Sequence, residues 1–223
     1  MSGNVAECVQ KNFFRYRYTS NTGWFCYCGG NWENTAEFCA PLMVSYQTNY
    51  PPYGVGLRLV LSKEKDECGL TFNVNGVDFN MVYVEGGEFE GKNAHLLDGV
   101  NVLSKFNVKL DDYYIGETEV TQALWKAVMT EWNFLDDFYT PTHPMAYISW
   151  YDCQEFIRRL DSITGLPFRL PTESEWEFAA RGGNRSLGYR FAGSNIIDSV
   201  SWYLNNAGFR QHQVASRWSN ELA

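Results

Sequence analysis

One stretch constrains this chain more than any other: Arg169-Leu170-Pro171-Thr172-Glu173-Ser174-Glu175-Trp176-Glu177-Phe178-Ala179-Ala180-Arg181-Gly182-Gly183. Thr172 with Glu175 three residues on is a capping box, in which each side chain bonds the other residue's backbone N–H. Acids in the first turn suit the positive end of a helix, and the glycine pair stops it, because glycine enters the left-handed conformation that closes helices. Glu173, Glu175 and Glu177 also offer closely spaced carboxylates, the raw material of paired-acid hydrolysis. Capping and solvation account for them, and they are assigned to structure.

The same capping chemistry predicts two more helices. Thr121 precedes residues 122–129, where Leu124, Val128 and Met129 form an apolar side. Ser149 precedes residues 150–163, whose Cys153, Phe156, Ile157 and Leu160 share one face before Gly165 ends the helix. On that face Cys153 reads as a core residue. Asn75-Gly76 between Thr71-Phe72-Asn73-Val74 and Val77-Asp78-Phe79-Asn80 predicts a β-hairpin, since both turn positions need positive φ. Residues 1–62 are aromatic, lack helical periodicity and close on a strand-like run over 54–61; they read as strands and loops. The charge run Lys63-Glu64-Lys65-Asp66-Glu67 then marks a solvated linker, taken as residues 63–69, before a second part over 70–223.

Composition removes several functions. A hydrophobic content of 45% over 223 residues suffices for a packed core, and a net charge of -8 with scattered basic residues excludes phosphate-backbone recognition. No apolar run reaches the roughly 18 residues of a membrane span, and Met1-Ser2-Gly3-Asn4 lacks the basic and apolar regions of a leader. The six cysteines form no C-x-x-C pair, and His95, His143 and His212 lack the i, i+4 spacing of a helical zinc grip. His143, in Thr142-His143-Pro144, reads as a turn residue.

The helix stretch at 169–183 resembles the signature of the formylglycine-generating (sulfatase-modifying) enzyme family, and other segments agree. Phe79-Asn80-Met81-Val82-Tyr83-Val84-Glu85-Gly86-Gly87-Glu88-Phe89 resembles its opening strand. Glu117-Thr118-Glu119-Val120-Thr121 with Trp125 resembles its first helix, and Ile148-Ser149-Trp150-Tyr151-Asp152-Cys153 its second. Met1-Ser2-Gly3-Asn4-Val5-Ala6-Glu7 is similar to the family's Gly-Asn-x-x-Glu motif, Gly29-Gly30-Asn31-Trp32 to its Gly-Gly-Ser-Trp element, and Gly56-Leu57-Arg58-Leu59 to its closing Gly-Phe-Arg strand. The parts thus run in the order second, first, as in a circular permutation or a window across two tandem copies. The implied fold is α+β: an irregular C-type-lectin-like fold with short strands, about three helices and long loops. In a single closed domain of this kind the ends would face each other across a gap of about three residues, or roughly 14 Å.

The resemblance also carries chemistry. Active members oxidise a sulfatase cysteine to formylglycine with two cysteines, five positions apart, that hold copper(I). Those positions fall on Asn34 and Cys39 here, which leaves Cys39 as the one residual catalytic candidate. Asn31, Gly54, Ala6 and Cys8 depart from the family's serine, asparagine and two tryptophans around the same site. Cys8 is a conceivable replacement ligand, and Cys26 and Cys28 share one side of a strand. Calcium is the other implied cofactor, with Asn4 and Glu7 as side-chain ligands and Ser2 and Val5 as carbonyl donors.

Three functions follow as expectations. The first is a sulfatase-modifying-factor-like module without oxidase activity that binds or structures a partner; the second is an active formylglycine-generating oxidase. The third is a diversified lectin-like protein that takes a protein or glycan ligand on the aromatic stretch 13–27. Family resemblance implies a bacterial envelope or secreted setting.

Overall fold

The computed structural model describes residues 4–10, 25–41, 44–47, 54–62, 70–97, 100–131 and 139–222. The linker at 63–69, both chain ends and most of the aromatic stretch 13–27 lie outside them.

Strands β1 (Ala6–Val9), β2 (Phe25–Cys28), β3 (Val44–Gln47) and β4 (Val55–Leu57) form one sheet in the order β3-β2-β1-β4, with β1 and β4 parallel and the other pairs antiparallel. A second sheet joins the two parts of the sequence. Its strands are β5 (Val60–Leu61), β6 (Leu70–Val74), β7 (Val77–Val84), β10 (Tyr113–Gly116) and β11 (Phe168–Arg169), in the order β11-β5-β10-β7-β6. β5, from the first part, is therefore flanked on both sides by strands of the second. The β6-β7 hairpin turns on Asn75 at φ 50° and Gly76 at φ 86°, the positive angles that Asn-Gly supplies.

A long antiparallel ribbon, β8 (Gly87–Leu97) with β9 (Val100–Leu110), was not legible from periodicity. Its sequence signal is the dipeptide Asp98-Gly99 between two runs of strand-forming residues.

Helices α1 (Gln122–Val128), α2 (Trp150–Thr164) and α3 (Glu173–Ala180) stand where their caps put them, followed by a single turn, α4 (Ile197–Val200). Capping boxes close at Ser149 with Asp152 and at Thr172 with Glu175, and Gly165 ends α2 at φ 72°. The main core lies between α1, α2 and the second sheet. Trp125 stacks on Phe156 with ring centroids 4.8 Å apart, and Cys153, Leu57, Tyr114 and Ile148 are buried around them. The protein thus has the mixed α+β, C-type-lectin-like fold expected.

One expectation is corrected. Glu173, Glu175 and Glu177 are 0%, 8% and 2% exposed, so solvation does not explain them. α3 is buried on every side, and paired cations make two of its three acids, Glu175 and Glu177, tolerable there. Arg169 binds Glu175 through two bonds of 2.6 and 2.7 Å, and Arg181 reaches Glu177 at 2.8 Å.

Candidate functional site

β1 leaves the turn at Asn4 and runs between β2 and β4, so the motif that opens the sequence is held at the centre of a sheet. Its far end is tied to the lead-in of α3, where Gln10 donates its backbone N–H to the carbonyl of Pro171 at 2.8 Å. Every described residue of the expected calcium turn has a protein partner. The Asn4 amide clasps the backbone of His212, donating to its carbonyl at 2.8 Å and accepting from its N–H at 3.1 Å. Val5 packs with Trp32, Ala146 and Ala207. Glu7, 1% exposed, accepts from Arg58 Nε at 2.8 Å, from Arg58 Nη2 at 3.0 Å and from the Trp176 indole at 2.9 Å.

Arg58 completes this buried unit. Its Nη1 donates to the carbonyls of Gly116 and Glu117, both at 2.8 Å, and its Nη2 lies 3.6 Å from Glu119. Ser2 lies outside the described residues. A calcium ion asks for six to eight hard oxygen ligands, carboxylates foremost. Here both oxygens of Glu7 face a guanidinium that already balances their charge, so the residues present do not fit that ion. Among the described residues no group of three or more His, Cys, Asp or Glu side chains is placed to hold a metal.

Cys39 ends a 3-10 turn, Ala36–Cys39, and is 0% exposed. Its thiol sits 4.0 Å from the Thr35 carbonyl and against the Ser201 hydroxyl, and burial pushes its pKa up. The thiolate is the form that binds copper(I) and attacks, and this pocket disfavours it. Asn34 acts as a turn residue: its Oδ1 accepts from Asn31 N–H at 3.0 Å, and its carbonyl accepts from Leu204 N–H at 2.9 Å. Two of the four departures prove to be one change. Gly54 has φ 75°, and a Cβ there would lie 2.6 Å from Asn31 Nδ2, so the Asn31 amide fills the space a side chain at 54 would need. Cys8 does not serve Cys39; its thiol meets that of Cys153, which burial pushes well above the ordinary range, and both are 0% exposed.

Sequence reasoning missed an open cleft of about 290 Å³ beside the Asn4 turn. Its walls come from Arg58, the Glu117–Glu119 corner and the loop 213–219. Trp202 forms one side, sandwiched between the His212 ring, with centroids 3.6 Å apart and planes 11° apart, and the Arg217 guanidinium, 3.5 Å from the indole centroid. Trp218 on the rim is 71% exposed. These residues follow no helical or strand period; the signal in the sequence was the Arg217-Trp218 pair, fifteen and sixteen residues past Trp202.

The sequence profile of the sulfatase-modifying factor enzyme 1-like domain matches residues 74–222. The chain belongs to that family. The Chaperone protein LppX of Paenibacillus barcinonensis is 32% identical to it over 174 residues, 63% of this chain and 59% of that protein. A formylglycine-generating enzyme of Streptomyces coelicolor is 39% identical over 66 residues, and one of Thermomonospora curvata 41% over 64 residues. Each of those alignments takes in 29% of this chain and 18% of the enzyme. The chain thus spans about three fifths of the chaperone and under a fifth of either enzyme. In three dimensions it is similar to Treponema denticola variable protein 1, with a TM-score of 0.56 and 24% identity, covering 70% of this chain and 72% of that one. That likeness concerns the fold.

Proposed function

We propose that this sulfatase-modifying-factor-like domain does not oxidise cysteine and instead works as a binding module for other proteins. The observation that carries the reading is the state of Cys39: fully buried, its thiol held protonated by burial, with Asn34 at the position of the second family cysteine. A lone thiol without solvent access offers neither a two-sulfur copper(I) site nor a route for a substrate cysteine. The Paenibacillus relative supports the binding half of the reading, since its name is that of a chaperone and chaperones work by holding other chains. The cleft beside Trp202 gives such a module an open, chemically mixed surface.

The test incubates the protein, loaded with copper(I), with a Cys-x-Pro-x-Arg peptide under oxygen and follows the peptide by mass spectrometry. The thiol is expected to persist; conversion to the aldehyde overturns the non-oxidising half. Suppression of aggregation of a heat-denatured client protein tests the binding half, and no suppression at stoichiometric amounts counts against it.

A further inference from the structure

We propose that Cys8 and Cys153 are the two halves of a disulfide that forms when the domain folds under oxidising conditions and fastens strand β1 to helix α2. The inference goes beyond the binding-module reading and does not depend on what that module holds.

The sheet register selects this pair. On β1, Cys8 stands opposite Tyr27 and Glu7 opposite Cys28. Successive residues of a strand point to opposite faces of the sheet. One face carries Ala6, Cys8, Tyr27 and Leu57 into the main core, and the other carries Val9 and Cys28 against Trp176 and Ala180. Cys28 is therefore turned away from Cys8. Helix α2 fills the main core with its buried stripe of Cys153, Phe156, Ile157 and Leu160, all in the same cluster as Cys8. Among the described residues Cys8 and Cys153 are the two cysteines of that core, since Cys39 lies against Ser201.

Both are free thiols, 0% exposed and in hydrogen-bond contact with each other. A disulfide needs its sulfurs at about 2.05 Å, and this pair starts from contact. A thiol is a weak donor and a weak acceptor, so little is lost when that contact is exchanged for a covalent bond.

The oxidant is a second disulfide, small or carried by a thiol–disulfide oxidoreductase. One cysteine attacks it as the thiolate, which gives a mixed disulfide and releases one thiol. The other cysteine then displaces the remaining half. Two thiols of the chain are oxidised, one incoming disulfide is reduced to two thiols, and the two protons end on the thiols released. Burial pushes the Cys153 thiol well above its ordinary range, so the exchange belongs to the stage before the core closes.

The two positions are 145 apart and stand on either side of the charge run 63–67. A bridge between them encloses that run and joins the two parts of the sequence a second time. Closing so long a loop takes the most freedom from the unfolded chain. The stability of the domain then depends on the redox conditions under which it folded.

The test produces the full chain twice, by secretion into an oxidising compartment and in a reducing cytoplasm. Each sample is denatured with iodoacetamide and without reductant, and digested for mass spectrometry. The oxidised sample is expected to yield one cross-linked peptide pair holding Cys8 and Cys153, two hydrogens lighter than the separate peptides. It is also expected to melt roughly 10 °C above the reduced sample. Cys28→Ala should keep that difference, while Cys8→Ala and Cys153→Ala should abolish it. Each variant is compared with itself in the two redox states, so the cost of the lost side chain cancels. Where a variant fails to fold, peptide mapping of the parent chain decides alone. Alkylated Cys8 and Cys153 in the oxidised sample, or either of them joined to another cysteine, overturns the proposal. A melting difference that survives in both variants does the same.

Discussion

Glu7 and Arg58, 51 positions apart, meet in a two-bond ion pair in which neither side chain is more than 2% exposed. Removing one partner leaves a buried charge uncompensated, which typically costs about 3–5 kcal/mol. Arg58→Met is expected to lower unfolding stability by about that amount. Glu7→Gln combined with Arg58→Met is expected to recover part of it, because the orphaned carboxylate is gone. Urea unfolding of the two variants and the parent is the measurement.

Calcium is expected to leave the melting temperature unchanged at millimolar concentration, although the family binds it. Glu7 has spent its charge on Arg58, and the Asn4 amide is closed on His212. A rise in melting temperature that a chelator reverses would show that the turn opens to take the ion.

Cys39 is expected to resist iodoacetamide in the folded protein at mildly alkaline pH and to react fully after denaturation. Desolvation holds the thiol protonated, and the thiolate is the reactive form. Peptide mapping after alkylation reads this directly, and native-state labelling of Cys39 ahead of the other thiols would reopen the oxidase alternative.

Acid is expected to destabilise the fold through His143. Burial, then the charges of His212 and Arg210, depress its pKa below the ordinary value of 6.5. The unfolded chain therefore takes up a proton first as pH falls. The contribution of His143 is complete above the ordinary histidine range and is lost as pH drops through it toward the depressed value. His143→Gln should flatten the fall in stability between about pH 7 and pH 5 relative to the parent.

The helices were legible because their ends are written in side chains: Ser149 with Asp152, Thr172 with Glu175 and Gly165 each specify a local bond or a left-handed angle. Asn75-Gly76 did the same for one hairpin. The β8-β9 ribbon escaped notice since its pairing spans many residues and its strands carry no clean alternation. Within the candidate site, Cys39 and Asn34 could be located through the family resemblance, by counting from Gly29-Gly30, but their burial could not. The acids of α3 were misjudged for a related reason: a carboxylate looks solvated in sequence until the arginine that pairs with it is seen in space. The cleft was invisible because its walls come from five separate segments, and no local rule links Arg58 to Trp202 or Glu119 to Trp218.

Strand β5 is only two residues long, yet it supplies the seam between β10 and β11. The stretch that matches the family profile, 74–222, excludes it and all but the last residue of β6, so a boundary drawn by similarity slices through a sheet. A gene trimmed to that match would encode a protein with two raw backbone rims where Val60 and Leu61 had been, and with Trp176 missing the carboxylate its indole donates to. Anyone building expression plasmids or chimeras from this protein should therefore treat residues 4–10 and 54–62 as segments that must travel with the rest, whether on the same chain or supplied as separate peptides.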